Sequence, residues 1–215
     1  MHLSELLRPG RPTWVSALRA TGFGHAVPVL LVALAVTVLY PDGTIETIGP
    51  LSVQPAVPVM LLVPALLAVA CAVAHGTWPS AVIRRGARTA TARAASYCIV
   101  LAAGGGVVGV ASALSVAPVL GGMLRNLMWL TGVALVTAAL AGVTTAWLPV
   151  VVACGAAVLS PSSEDPWTVY GWLFLPTSTG AQLAVASLVA LVGVGVAVWD
   201  PRSPGYLRIH GGRAG

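Results

Sequence analysis

Charged residues are so sparse in this 215-residue chain that they leave long stretches with no charge at all. Between consecutive charges lie 22 residues (Arg19 to Asp42), 37 (Glu46 to Arg84), 31 (Arg93 to Arg125), 38 (Arg125 to Glu164) and 34 (Asp165 to Asp200). Each exceeds the ~20 residues that a helix needs to cross a bilayer. Only 8% of the residues are charged, against roughly 25% in an ordinary globular domain, too few to build a water-facing surface. Soluble enzymes, nucleic-acid binders and disordered proteins are thereby set aside. The expected fold class is all-α: a polytopic transmembrane helical bundle forming one domain over residues 1–215.

The punctuation of the apolar runs divides the chain. Residues 1–21 carry three Arg with Trp14, Val15 and Leu18 at helical spacing, the pattern of an amphipathic helix lying on a membrane surface. Span one is expected at about 22–40, followed by a Pro41-Asp42-Gly43 turn in place of a signal-peptide cleavage site. Span two is expected at about 53–75, with Pro55, Pro58 and Pro64 giving kinks or an irregular start. Span three follows at about 96–118. The 38-residue run would make one helix ~57 Å long, against a ~30 Å hydrocarbon core, so it must break. Thr144, Thr145, Trp147 and Pro149 place the break, giving span four at about 126–144 and a short span five at about 147–160. Segment 161–177, with Trp167, Tyr170, Trp172 and Phe174 before Pro176, reads as a non-spanning, re-entrant segment ahead of span six at about 179–199.

Six spans with both termini in the cytoplasm put ten of the 11 Arg inside, leaving only Arg125 outside, as the positive-inside rule requires. Trp14, Tyr40, Trp78, Tyr97, Trp129, Trp147, Trp167, Trp172, Trp199 and Tyr206 fall at or near expected span ends, where amphipathic rings are favoured. The implied location is the plasma membrane, multi-pass. Within spans, small residues recur at every fourth position: Gly105, Gly109 and Ala113, then Ala134, Ala138 and Gly142. Such ridges let helices approach closely, either within one subunit or across a dimer face.

Several chemistries find no residues. There is no Lys, so the phosphate-cradling G-x-x-x-x-G-K-[ST] loop is impossible. No Asp or Glu lies within an expected span, so a proton relay built on intramembrane carboxylates has no candidate. Cys71, Cys98 and Cys154 are widely separated inside apolar runs and read as packing residues. Cys71 and His75 lie four apart, with His25 near the same membrane side, the only hint of haem or metal ligation. Their interfacial positions and the lack of a nearby acid favour plain solvation. The Gly104-Gly105-Gly106 triplet follows no strand and reads as helix packing. No catalytic, cofactor-binding or metal residue is therefore expected in this chain.

Segment 78–94 is polar and holds Arg84, Arg85, Arg88 and Arg93. It reads either as a solvated loop that fixes topology and touches anionic lipid, or as a short helix docking on a cytoplasmic partner. The whole layout resembles the membrane (permease) subunits of type-2 ATP-binding-cassette exporters: an amphipathic start, six spans, a basic segment between spans two and three, almost no loop between spans four and five, and a semi-apolar segment before span six. The resemblance implies that 78–94 acts as a coupling helix, its four Arg meeting a separate ATPase subunit that carries the ATP. It also implies that 161–177 packs as external re-entrant helices, and that the chain pairs with a second copy or a related permease. Two other readings stand beside it: a haem- or quinone-associated membrane anchor using His25 and His75, and a structural or regulatory membrane protein.

Overall fold

A computed structural model of the chain describes residues 23–48, 51–76, 87–116, 118–160, 165 and 167–199. The expected amphipathic segment 1–21, the basic stretch 78–86 and the C-terminal tail lie outside these residues. In chain order the elements are α1 (Phe23–Leu39), β1 (Thr44–Ile48), β2 (Leu51–Pro58), a 3-10 turn (Val59–Leu62), α2 (Val63–Gly76), α3 (Ala87–Leu114), α4 (Leu120–Ala141), a second 3-10 turn (Val143–Thr145), α5 (Leu148–Leu159), α6 (Val169–Phe174) and α7 (Gly180–Trp199).

The described residues are mostly helical. Three helices are long and apolar enough to cross a membrane: Arg93–Leu114, Leu120–Ala141 and Gly180–Trp199. Three shorter apolar helices accompany them, Ala26–Leu39, Val59–Ala74 and Val143–Leu159. Side-chain size is sorted as lipid demands. Buried positions are often small, including Ala26, Ala33, Ala68, Ala70, Ala186 and Ala197, while Leu31, Leu39, Val152, Leu188 and Leu191 face outward. Without a hydrophobic drive between helices in lipid, close backbone approach does the work of association. By length and composition the chain is a membrane protein.

The all-α expectation needs one correction. Residues 53–58, assigned above to span two, form β2 and pair antiparallel with β1, Ile45 opposite Val57 and Ile48 opposite Leu51, with an irregularity between Ile45 and Thr47. Both strands of a two-stranded ribbon are edges, so Pro55 and Pro58 can lie in β2 without robbing a ladder of a needed donor. β-Branched residues at Ile45, Thr47, Val53 and Val57 suit the extended form. The helical part of span two thus begins only at Val59. The hairpin is anchored at its base, where the Val59 N–H donates to the Gly43 carbonyl (2.9 Å). The Val116 N–H also reaches the Asp42 carboxylate (3.2 Å), joining this base to the link after α3.

A second correction concerns the basic segment. From residue 87 onward it is not a separate helix but the start of α3, a single helix of 28 residues. At 1.5 Å per residue this is ~42 Å, well beyond the ~30 Å core, so its first turns, ahead of the apolar stretch that starts at Arg93, extend out of the hydrocarbon core. Tyr97, expected at an interface, is fully buried in a core cluster with Ala70, Ala74, Val100 and Leu135.

The expected break in the 38-residue run occurs at Gly142. This residue does not extend the small-residue ridge. It ends α4 with a φ of 103°, a left-handed conformation in which its N–H bonds back to the Thr137 and Ala138 carbonyls. Only five residues, 143–147, separate Gly142 from the start of α5.

The closest helix packing joins α4 to α7. A Cβ on Gly132 would strike the backbone of Val189 and Ala190, and one on Gly193 would lie 2.5 Å from the Gly132 carbonyl oxygen. Gly121 faces Ser178 and Gly122 faces Pro176 at one end, and Ser187 donates to the Met128 sulfur further along, so the two helices run parallel. The chain must therefore return across the bundle between them. α5 makes that return, and α6 does not cross. Ala134 and Ala138 pack inside the subunit, sharing a cluster with Ala68 and Ala72 of α2. Gly105 and Gly109 meet nothing within 4 Å, and Ala113 is exposed. Replacing Gly132 or Gly193 with Ala is expected to destabilise the bundle by about 1–3 kcal/mol or more through forced backbone separation. Gly105→Ala is expected to be neutral, or stabilising by up to ~1 kcal/mol through helix propensity. Reversible unfolding in mixed detergent micelles measures both.

Candidate functional site: a polar hub at one end of the bundle

The second turn of α4 carries two fully buried polar side chains in sequence, Arg125 and Asn126. The Arg125 guanidinium donates to the Leu175 carbonyl (3.0 Å), the Thr177 carbonyl (3.1 Å) and the Asn126 side-chain oxygen (3.2 Å). The Asn126 amide nitrogen donates in turn to the carbonyls of Leu173 (2.7 Å) and Leu61 (3.3 Å). One turn earlier, the Gly122 N–H reaches the Pro176 carbonyl at 2.8 Å. Gly122 admits no larger residue, because a Cβ there would lie 2.6 Å from the Leu175 carbonyl oxygen.

These bonds hold three pieces of backbone that lack complete helical pairing: the end of α6, the extended link 175–179, and the 3-10 turn before α2. Carbonyls left over at a helix C-terminus need donors, and in a site shut off from solvent water cannot supply them. The planar guanidinium fork serves two of them at once. A cation also suits the negative end of α6, whose C-cap is Leu175. Among the described residues the partners of Arg125 are neutral oxygens, whose dipoles offset its burial. The link ends in a capping box that opens α7: the Thr179 N–H donates to Gln182 (3.0 Å), and the Gln182 N–H to the Thr179 hydroxyl (3.2 Å).

Above this hub, α6 is a six-residue, non-crossing helix whose Leu173 and Phe174 are buried. Its first turn is capped by the Thr168 hydroxyl, which accepts from the Gly171 N–H at 3.0 Å. Three indoles gather beside it. Trp129 of α4 meets Trp172 edge-on at 6.4 Å between ring centroids, and Trp167 lies tilted against Trp172 at 5.6 Å. Trp129, read above as a span-end residue, thus packs within the bundle.

At the opposite end, Arg93 is 3% exposed, and its guanidinium lies 3.5 Å from the Ala197 carbonyl in the last turn of α7. Arg93, one of the four arginines expected to meet a partner, is thus packed against α7 within the chain. Arg84 and Arg85 lie outside the described residues, and Arg88 is on the first turn of α3. The three cysteines sit on different helices: Cys71 buried on α2, Cys98 exposed on α3 and Cys154 partly buried on α5. Among the described residues no group of three His, Cys, Asp or Glu side chains assembles.

Arg125 was legible only as an external loop residue, since an isolated Arg between two apolar runs looks like a boundary. The signal that points elsewhere is the Arg-Asn pair one turn after Gly121-Gly122, polar groups next to the small residues that let backbone approach. No known protein family, curated protein or solved structure matches the chain.

Arg125→Met should leave the Leu175 and Thr177 carbonyls without donors, at about 1–3 kcal/mol for each buried group. Arg125→Lys should recover part of this, because one ammonium cannot reproduce the fork. In a background free of the native cysteines, Ser178→Cys should react faster with a bulky maleimide once Arg125 is Met. An unchanged labelling rate would show that the link 175–179 holds its place without the hub.

Proposed function

We propose that the chain is the membrane subunit of a bacterial type-2 ATP-binding-cassette exporter. In this reading it crosses the plasma membrane six times with both termini in the cytoplasm, and it pairs with a second copy or a related permease. It forms the translocation path and leaves nucleotide hydrolysis to a separate ATPase subunit. The carrying observation is the parallel pairing of α4 with α7. It agrees with a chain that returns once through α5 and tucks α6 into the bundle without crossing, which is how spans four to six and the re-entrant segment are arranged in that architecture.

The long α3 supplies the coupling. Arg88 stands on the same rigid helix that crosses the membrane, so a displacement imposed at its start is carried along its length. With Arg93 held against α7, the residues that meet the ATPase are Arg84, Arg85 and Arg88. Cargo of lipid-like or other apolar character fits best. A groove of about 560 Å³ between α1, α2 and α5 is walled by Leu62, Leu66, Val151 and Val158, among others, and no carboxylate lies in the expected spans.

Co-expression with the ATPase subunit from a neighbouring reading frame tests the reading directly. The pair is expected to co-purify, and the isolated chain to show no nucleotide hydrolysis. Changing Arg85 and Arg88 together to Gln should leave insertion intact. It should reduce ATPase recovery about 30-fold, the effect of losing ~2 kcal/mol from one buried interfacial charge. Ser203→Cys in a cysteine-free background should resist an impermeant reagent in intact cells; modification there would rule out the six-pass arrangement.

A further inference from the structure

At α6 the three indoles line an open pocket of about 280 Å³, together with Leu173, Ala153 of α5 and Val185 of α7. On α4, Val133 and Val136 continue the face of Trp129 at spacings of four and seven, and on α7, Val189 and Val192 continue the face of Val185 in the same way. These four line a second, apolar hollow of about 310 Å³. Because α4 and α7 run parallel, the two hollows follow one seam: an aromatic box at the end near the polar hub, then an apolar furrow along the spanning helices.

The chemistry of the box selects a cation. Indole faces are the strongest aromatic attractors of organic ammonium groups, and three line this pocket. Asp165, whose carboxylate accepts the Trp167 backbone N–H at 3.0 Å, carries a negative charge two residues from that ring. The nearest described cation, Arg125, is one turn before Trp129, and its guanidinium is spent on the Leu175 and Thr177 carbonyls. The Nε1–H of Trp172 is buried without an acceptor. The tail end of the seam, lined by valines in the spanning region, suits hydrocarbon.

We propose that the α4–α7 seam binds one membrane lipid with a quaternary ammonium head: the head in the Trp129, Trp167 and Trp172 box, one acyl chain along Val133, Val136, Val189 and Val192. The site stands whether or not the chain couples to an ATPase.

The full chain is reconstituted in vesicles of equal phosphatidylcholine and phosphatidylglycerol with matched acyl chains, and the lipid retained after extraction is identified by native mass spectrometry. Phosphatidylcholine should be retained in preference. Trp129→Leu or Trp172→Leu should lower that preference about fivefold each, equivalent to ~1 kcal/mol and the size of one cation–π contact. Trp167→Leu, at a ring that is 57% exposed, carries the same test if a core variant fails to fold. Val192→Trp, on a half-exposed position, should block the furrow and reduce retention of both lipids. Equal retention of the two lipids, a preference untouched by the Trp changes, or an excess of phosphatidylglycerol overturns the proposal.

Discussion

The bundle depends on giving hydrogen-bond donors to backbone carbonyls that no helix satisfies. Inside a bilayer such carbonyls are costly, and helices are the usual way to avoid them. This chain nevertheless places irregular backbone against its spanning helices, between α6 and α7 and ahead of α2. Arg125 and Asn126 make that possible. From one turn of α4 they serve the carbonyls of Leu61, Leu173, Leu175 and Thr177, so two segments more than a hundred residues apart in sequence converge on a single helix. Arg93 repeats the solution at the other end, against the last turn of α7. Both buried arginines therefore face carbonyl-rich helix ends, where the macrodipole favours a cation. Arg, with its fixed fork of donors, does this better than Lys, and the chain has only Arg.

Much of the architecture could be read in advance, because the bilayer imposes lengths that sequence must obey. The 38-residue run had to break, and it breaks at Gly142, within a few residues of Thr144 and Thr145. Pro176 and the cluster of aromatic residues before it marked a segment that stops short of crossing, which is α6. Ala134 and Ala138 do lie in a helix interface. What stayed hidden depended on partners that a single strand of sequence does not reveal. The stretch 53–58 is apolar and β-branched, equally fit for an irregular helix start or a strand, and only pairing with Thr44–Ile48 decides between them. An alanine- and glycine-rich chain offers many four-residue spacings. Nothing in the sequence distinguishes Gly132 and Gly193, which touch another backbone, from Gly105 and Gly109, which touch nothing within 4 Å. Arg125 was hidden for the same reason, since burial belongs to the neighbours and not to the residue.

The packing also orders the helices by role. α4 is central: it meets α7 through backbone contact at Gly132, α2 through Ala134 and Ala138, and the irregular segments through its polar turn. α7 follows it in parallel, and α3, longer than the hydrocarbon core is thick, runs on past that core into the headgroup region. Rigid close contact along α4 and α7 leaves the looser, groove-bearing side of the molecule to α1, α2 and α5.

One wall of that groove is also short. The stretch Val143–Leu159, bounded by Gly142 on one side and by the extended Ser160 on the other, rises only ~26 Å at 1.5 Å per residue, several ångströms less than a typical hydrocarbon core. The stretches of α3, α4 and α7 reach ~30 Å or slightly more. Lipids beside α5 must compress or tilt to cover it, at a fraction of a kcal/mol per ångström of mismatch. Because α5 also lines the apolar groove, that deformation falls where the surface is most open to a hydrocarbon chain, and bilayer thickness itself becomes a variable to which this part of the protein responds.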